Sequence, residues 1–203
     1  MTLNVIILRH GKTEGNIYHR YTGGRIDEPL CEEGLAELRA IAPDPGVDTV
    51  WVSPMLRARQ TAEHLFPAAR QIVVNELREM DFGDFEGRSA EDMADDPVYR
   101  EWVNSSCEGG CPHGEKLGDF IERTRAVFLK LVDEALAAGL SRLTIVAHGG
   151  TLMAVMSAYS GDDRYLFDWN TENLRGWQMT LEEAEWREKK RFSGFAPYAP
   201  RSL

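Results

Sequence analysis

The sequence predicts an α/β fold with a mainly parallel central sheet. Short apolar runs rich in β-branched residues recur at 5–8, 49–52, 71–74 and 143–147, and such runs are typical of strands buried on both faces. Segments with apolar residues at three- and four-residue steps separate them, most clearly over 117–140. Strands that alternate with helices in this way form parallel sheets covered by helices.

The composition is that of a globular protein. The chain has 203 residues, of which 43% are hydrophobic and 28% charged, and we expect one domain over 1–203. The net charge of −10 argues against nucleic acid as a partner, because non-specific binding to nucleic acid needs basic surface. No apolar run approaches the ~20 residues of a membrane span, and no signal-peptide pattern is visible. We therefore expect a cytoplasmic protein with no membrane partner.

The first predicted strand, 5–8, runs directly into Arg9 and His10. Open α/β sheets bind ligands at the carboxyl ends of their strands, so these two side chains mark a candidate site. Thr13 and Asn16 follow in a glycine-containing turn and offer short polar side chains that could point at a bound oxyanion. The stretch predicts an anion pocket.

The segment 8–16, with Arg9-His10-Gly11 followed by threonine and asparagine, resembles the opening signature of the histidine phosphatase superfamily. This superfamily includes the cofactor-dependent phosphoglycerate mutases. The resemblance covers roughly residues 1–160 and implies a three-layer α/β/α sandwich of the phosphoglycerate mutase type, with His10 as a nucleophile. An isolated Arg-His pair could equally be a partly exposed pair at a strand end, so the identification depends on three later segments.

Residues 17–29 show no regular period and contain paired glycines, so we expect a loop that passes close to a ligand. The loop resembles the family's second phosphate-side loop, in which the Thr22 hydroxyl and the Gly23 amide would face the substrate. The alternative is an ordinary turn. A short helix is expected to follow over 32–42.

The second predicted strand is followed by Ser53-Pro54, a helix-start signal in which the serine would cap the free amides. A helix N-terminus favours a phosphate group. The segment 53–62 matches the family pattern Ser-Pro-x-x-Arg-Ala, which implies that Arg57 binds phosphate. Arg59 would face solvent, because two positions rotate a side chain by about 200° around a helix.

Glu79 follows the third predicted strand, in a segment that resembles the family's Leu-x-Glu-x-x-x-Gly pattern. The resemblance implies that Glu79 is the general acid and base, which protonates the leaving oxygen and later activates water. The alternative is a surface acid in an acidic stretch, and Asp81 or Glu86 would fit that alternative equally well.

Residues 88–116 are polar and irregular, with a short helix expected around 99–103. In the family such an excursion forms a lid over the pocket mouth. Lys116 stands where family members often have serine. We expect it to face solvent, although it could reach the distal part of a substrate.

Cys107 and Cys111, with His113 close by, could be imagined as a metal site. A structural zinc usually needs four ligands from two paired clusters, and no second cluster exists. An odd number of cysteines, three in this chain, also does not indicate a disulfide framework. We therefore expect free thiols and no metal.

The long helix over 117–140 leads to the buried strand 143–147, which ends at His148-Gly149. A helix over 152–159 follows. The element matches the family's second histidine, which implies that His148 flanks the same phosphate as His10 and that Gly149 lies beside it.

Beyond residue 160 the resemblance is weaker. Alternation of apolar and polar residues over 177–181 indicates a half-buried strand, and a further strand is expected over 186–192. Pro197 and Pro200 indicate a frayed tail.

The implied activity is hydrolysis of a small phosphorylated metabolite through a phosphohistidine, without cofactor or metal. A phosphoglycerate mutase is the alternative, but mutases carry arginine and tyrosine where this chain has Met80 and Phe82, which favours a phosphatase. The run 20–30 is similar to that of the α-ribazole phosphatases and suggests α-ribazole 5'-phosphate as a substrate. A catalytically silent phosphoester-binding module would lack one of the catalytic residues, and none is missing.

Overall fold

The computed structural model describes all residues, 1–203, and its centre is a six-stranded sheet. The strand order is 3-2-4-1-5-6. The first four strands run parallel to one another, whereas the fifth is antiparallel to both of its neighbours. The strands are β1 (Thr2–Arg9), β2 (Thr49–Val52), β3 (Arg70–Val73), β4 (Arg142–Ala147), β5 (Gly176–Glu182) and β6 (Gly194–Tyr198).

Seven helices surround the sheet. They are α1 (Glu14–Ile17), α2 (Glu32–Arg39), α3 (Leu56–Leu65), α4 (Pro97–Asn104), α5 (Leu117–Ala137), α6 (Gly149–Tyr159) and α7 (Glu183–Lys189). Helices α2 and α3 pack on one face of the sheet, and α5, α6 and α7 pack on the other. The predicted three-layer α/β/α sandwich with a mainly parallel sheet is confirmed. None of the helices combines the length and the apolar character needed to cross a membrane.

Two hydrophobic cores hold the sheet between its helices. Successive side chains of β1 point to opposite faces, so Val5 and Ile7 join the core beneath α5 and α6, whereas Leu8 joins the core beneath α3. Because both faces are covered, β1 reads as a continuous apolar run. This burial fixes the position of the residues that follow β1.

A third hydrophobic cluster lies outside the sheet and includes residues of the segment 88–116, which we expect to form a lid. Helix α4 is longer than the expected 99–103, because the Asp96 carboxylate accepts a hydrogen bond from the Val98 amide and Pro97 occupies the first turn. We call the buried members of this third group the lid cluster: Met80, Phe85, Met93, Tyr99, Trp102, Cys111, Phe120 and Ala154.

The C-terminal part differs from the expectation. The strand expected over 186–192 is wrong, because this stretch begins within α7, where Trp186 is fully buried and exposed i,i+4 ion pairs such as Glu183–Arg187 line the other face. The expected frayed tail is also wrong, since 194–198 form β6. Pro197 is tolerated there because β6 is an edge strand. Proline has no amide proton, and on an edge strand this need not remove a hydrogen bond to a neighbouring strand.

Candidate active site

The two predicted histidines lie at the carboxyl ends of neighbouring parallel strands. His10 follows β1 and His148 follows β4, and the register pairs Arg9 with Ala147. The chain leaves β1 towards helices on one face and leaves β4 into α6 on the other face, so the site is a topological switch point. The two ring centroids are 5.1 Å apart.

His10 is 4% exposed and its ring orientation is fixed. Its Nδ1 lies 2.6 Å from the Gly11 carbonyl oxygen. Because a carbonyl oxygen can only accept, Nδ1 carries the proton and Nε2 keeps a free lone pair. The Gly11 amide donates to Thr61 Oγ1 at 2.9 Å, which anchors the loop. The geometry prepares Nε2 to act as a nucleophile.

Both histidines are held neutral. Burial lowers the pKa of His10 well below its ordinary value, and the charges of Arg57 and Arg9 lower it further. Burial also lowers the pKa of His148, with Arg57, His10 and Arg9 acting in the same direction. Desolvation and nearby positive charge both disfavour an imidazolium. At neutral and mildly acidic pH each ring therefore has a free lone pair.

Arg57 is fully buried and is held by main-chain carbonyls. Its Nη1 donates to Ile26 O at 2.9 Å, and its Nη2 donates to Gly23 O at 3.1 Å and to Thr22 O at 3.3 Å. Its Nε has no partner in the protein. The fixed guanidinium thus retains one buried donor for an anion.

Arg9 has a similar arrangement on the opposite side. Its Nη1 donates to Thr171 O, whereas its Nε is buried without a partner. Burial lowers the pKa of both Arg9 and Arg57, and the Glu79 carboxylate opposes this effect. The fully buried Arg57 and the partly buried Arg9 need compensating negative charge, which makes the site suited to a phosphoryl group.

Glu79 is held by two backbone amides. Its Oε2 accepts from the Gly150 amide at 3.1 Å, and its Oε1 accepts from the Met80 amide at 3.0 Å. A Cβ at Gly150 would lie 2.4 Å from Glu79 Oε1 and 2.9 Å from Phe120, so a larger residue at this turn of α6 would displace the Glu79 carboxylate or the Phe120 ring. The carboxylate is therefore fixed over the site by the first turn of α6.

Asn16 presents its amide group to the site. Its Oδ1 accepts from the Thr13 amide at 3.2 Å, from Thr13 Oγ1 at 3.1 Å and from Asn173 Nδ2 at 3.1 Å. Because the oxygen is fully used, the Nδ2 donors remain for a ligand. The structure places Thr13 differently from the expectation: its hydroxyl is buried in a capping box with Asn16 and orients that residue instead of reaching an oxyanion.

The remaining predicted residues differ in whether they line the cavity. Thr22 and Gly149 line it. Gly23, Arg57 and His148 are buried and do not line it. At Gly23 a Cβ would lie 2.2 Å from Met80 O, so this glycine permits two loops to meet, and its carbonyl oxygen accepts from Arg57 Nη2.

The cavity has a volume of about 290 Å³, a polar floor and an apolar wall. The floor is formed by Arg9, His10, Asn16 and Glu79. Eleven of the 20 lining residues are hydrophobic, and Lys116 is not among them because its side chain is exposed at the start of α5. The wall includes Met80, Phe82, Trp102, Leu117, Phe120 and Phe167.

Ser53 is a site residue whose role differs from the expected helix cap. Helix α3 begins only at Leu56 and has no side-chain cap. The Ser53 hydroxyl is instead fully buried and lies 2.6 Å from His148 Nε2. The signal available in the sequence is that Ser53 directly follows β2, because β2 is the neighbour of the strand that carries His148.

Arg123 on α5 was not predicted as a site residue, yet it fixes the segment that carries Glu79. Its Nη1 donates to Glu76 O at 2.6 Å and to Arg78 O at 3.1 Å. Its Nε and Nη2 donate to the two carboxylate oxygens of Glu115 at 2.9 and 2.8 Å. Arg123 therefore links Glu115, through a bidentate pair, to the residue that precedes Glu79.

Cys107 and Cys111 are free thiols. Burial raises the pKa of Cys111 to about 12 and also raises the pKa of Cys107. His113 Nδ1 contacts Asp84 rather than a thiol. No group of three or more histidine, cysteine, aspartate or glutamate side chains is arranged to hold a metal ion.

Comparison with known proteins places the chain in one family. The model of the histidine phosphatase superfamily (branch 1) matches residues 5–192, so the match continues well past residue 160, where the sequence motifs end. The chain is 31% identical over 162 residues to a Hydrogenobacter thermophilus protein that is named provisionally as phosphoserine phosphatase 2, covering 76% of this chain and 77% of that protein.

Two further relatives represent the two activities considered from the sequence. A Klebsiella pneumoniae protein named probable phosphoglycerate mutase GpmB is 31% identical over 170 residues, covering 80% of this chain and 77% of that protein. The crystal structure of the α-ribazole phosphatase from Shigella flexneri superposes with a TM-score of 0.76 at 23% identity, covering 99% of this chain and 96% of that chain. The last comparison shows a shared fold.

Proposed function

Because the chain belongs to the histidine phosphatase superfamily (branch 1), we propose that it is a phosphomonoesterase that transfers a phosphoryl group first to His10 and then to water. One observation carries the proposal. Two neutral imidazoles and two guanidinium groups meet at a switch point of the sheet, and Arg9 Nε, Arg57 Nε and His148 Nδ1 are all buried without a protein partner. Such a cluster is complementary to the oxygens of a phosphoryl group.

In the first step, His10 Nε2 attacks phosphorus and the bond from phosphorus to the ester oxygen breaks. Arg9, Arg57, His148 and the Asn16 amide neutralise the charge on the non-bridging oxygens. Glu79, in its protonated form, gives its proton to the leaving oxygen, so that an alcohol departs and a phosphohistidine remains.

In the second step, the Glu79 carboxylate accepts a proton from water as the water oxygen attacks phosphorus. The bond between phosphorus and His10 Nε2 breaks, which releases inorganic phosphate and restores the neutral imidazole. The cycle balances in protons and charge, and the two guanidinium groups supply the positive charge that a metal would otherwise supply.

The apolar wall favours a leaving group that is uncharged or aromatic. Met80 and Phe82 lie where mutases of the family carry an arginine and a tyrosine, and both line the cavity. A carboxylate on the substrate would be poorly paired there and costly to desolvate. The α-ribazole 5'-phosphate ester, with its aromatic base, fits this description, and it is our proposed substrate.

Steady-state kinetics test the proposal directly. We expect kcat/KM for α-ribazole 5'-phosphate or an aryl phosphate to exceed that for 3-phosphoglycerate by about tenfold or more, since one unpaired buried charge costs well above the ~1.4 kcal/mol that tenfold represents. Rapid quench should trap acid-labile phosphate on the wild type and none on His10→Ala. Efficient interconversion of 2- and 3-phosphoglycerate with added bisphosphoglycerate would show a mutase, and binding without turnover of any ester would show a silent module.

A further inference from the structure

The Ser53 hydroxyl makes two hydrogen bonds inside the protein. Its Oγ lies 2.6 Å from His148 Nε2 and accepts from the Met55 amide at 3.3 Å. Ser53 and His148 are both 0% exposed, so neither group can exchange these partners for bulk water. The proton between Ser53 and His148 therefore has only two possible positions.

Counting donors and acceptors decides between these positions. If Nε2 carried the proton, it would donate to Oγ, and the Ser53 hydroxyl proton would have no acceptor. The His148 Nδ1 lone pair would also stay buried without a donor, because Nδ1 has no protein partner. If the hydroxyl donates to Nε2, both Oγ and Nε2 are satisfied and the ring proton lies on Nδ1.

We propose that Ser53 is a positioning residue that holds His148 in the tautomer with its proton on Nδ1, so that this nitrogen donates to the phosphoryl group. The identity of the acceptor rests on the proposed function, whereas the tautomer rests on the Ser53 contact alone. Nδ1, like the Nε atoms of Arg9 and Arg57, is buried without a protein partner, and both arginines are close enough for their charges to act on the His148 ring. A lone pair at that position would repel phosphoryl oxygens, whereas an N–H is a donor oriented before substrate arrives.

The neutrality of His148 is what gives the tautomer its importance. A doubly protonated ring would donate from both nitrogens and would need no orienting group. Burial and the charges of Arg57, His10 and Arg9 all lower the pKa of His148, so a single proton must be placed on one of two nitrogens. The Ser53 contact is the only protein hydrogen bond to the ring that can select its position.

Nitrogen-15 NMR of histidine-labelled protein measures the tautomer without any substrate. We expect the wild-type His148 signal, assigned with His148→Gln, to show a protonated Nδ1 and an unprotonated Nε2. Ser53→Ala should shift the proton to Nε2 or give an average of both forms, and Ser53→Thr, which keeps the hydroxyl, should retain the wild-type pattern. A wild-type proton on Nε2, or no change in Ser53→Ala, overturns the proposal.

Kinetics test whether the tautomer matters to turnover. We expect Ser53→Ala to lower kcat for an aryl phosphate about tenfold with a smaller change in KM, and Ser53→Thr to recover most of the loss. The matched control is Thr144→Val, which removes another buried hydroxyl, one on β4 that makes no hydrogen bond, and it should keep wild-type kcat. Equal kcat for Ser53→Ala and wild type would contradict the proposal.

A wild type that hydrolyses no phosphomonoester overturns the proposed function, while the nitrogen-15 spectrum still decides on the tautomer. If Ser53→Ala fails to fold, the wild-type and Ser53→Thr spectra decide.

Discussion

His10 and His148 bury two neutral imidazoles beside two guanidinium groups, and this arrangement links stability to pH. In the unfolded chain a histidine gains a proton below about pH 6.5, whereas burial and Arg57 keep the folded-state pKa of both rings well below that value. The unfolded state therefore binds more protons in this window. The contribution of the two neutral histidines to the free energy of unfolding should be fully present above about pH 6.5 and should be lost as the pH drops below that value.

We expect the free energy of unfolding to fall by about 1 kcal/mol per histidine between pH 6.5 and 5.5. Urea unfolding in a phosphate-free buffer measures it. His148→Gln should remove about half of the slope. The control His19→Asn, at an exposed position with φ of 52°, should leave the slope unchanged, since asparagine tolerates that conformation. A pH-independent stability in this window would contradict the burial of neutral rings.

The loss of rate caused by replacing Glu79 should increase with the basicity of the leaving oxygen. Glu79→Gln cannot donate the proton, but its amide oxygen can still accept from the Gly150 amide. We expect the rate of phosphohistidine formation from an alkyl phosphate to fall by about 10²–10⁴-fold, and the same rate from p-nitrophenyl phosphate to fall far less, because nitrophenolate leaves without a proton. Rapid quench with both esters measures this first step separately from the hydrolysis of the phosphohistidine, in which Glu79 acts for every ester. Asp84→Asn, an exposed acid outside the cavity, is the control. Equal losses for the two esters would exclude a proton donor at this position.

At the residue scale, the sequence identified the groups proposed to bind the phosphoryl group better than the groups that orient them. Arg9, His10, Glu79 and His148 stand in recognisable motifs, and the structure brings them together. The role of Asn173, which donates to the His10 carbonyl and to Asn16 Oδ1, depends on contacts between segments more than 150 positions apart. No local pattern predicts such contacts.

At the scale of elements, the contact between α5 and the Glu79 segment should affect kcat. Arg123→Met removes the hydrogen bonds to Glu76 O and Arg78 O, so we expect kcat for an alkyl phosphate to fall at least about tenfold with a smaller change in KM. Glu115→Gln keeps those two bonds and should destabilise the fold while reducing kcat less. Kinetics and urea unfolding of both variants separate the effects.

Arg125 on the same helix provides a further control, because it is exposed and does not contact the Glu79 segment. Arg125→Met should keep wild-type kcat. Loss of stability without loss of kcat in Arg123→Met would contradict a positioning role.

The elements themselves were predictable where one periodicity dominated. The buried strands β1 and β4 and the long helix α5 follow directly from apolar runs and helical spacing. Helix α7 was missed because its seven residues contain a single fully buried aromatic, Trp186, among charged residues. Such a short segment shows neither period, and packing against α5 decides its conformation.

At the scale of the whole molecule, the positive charge for catalysis comes from the chain itself. We therefore expect activity to survive extensive EDTA treatment. Vanadate should inhibit by imitating pentacoordinate phosphorus and should bind more tightly than phosphate. Activity that disappears on chelation and returns with an added divalent cation would contradict the mechanism. Phosphate release before and after chelation measures this.

The class of the fold was predicted from the sequence, but the edge strand β6 was not. Parallel strands bring Arg9, His10 and His148 to one edge of the sheet, which sequence motifs already implied. The antiparallel pair β5 and β6 extends the sheet beyond β1. Strand β5 lies where a half-buried strand was predicted over 177–181, whereas β6 contains a proline and its local sequence favours a loop.

The lid cluster is packed apart from the two cores that hold the sheet, and this separation has an evolutionary consequence. Arg9, His10 and His148 are supported by β1, β4 and their helices, whereas Glu79 and much of the wall around the leaving group are supported by residues such as Trp102 and Met80. Mutations in the lid cluster away from Met80 can thus accumulate and change which alcohol is released while the two histidines keep their positions. Selection can act on the two halves of the pocket separately. A descendant of this protein can then evolve to hydrolyse a different phosphorylated metabolite by the same reaction mechanism.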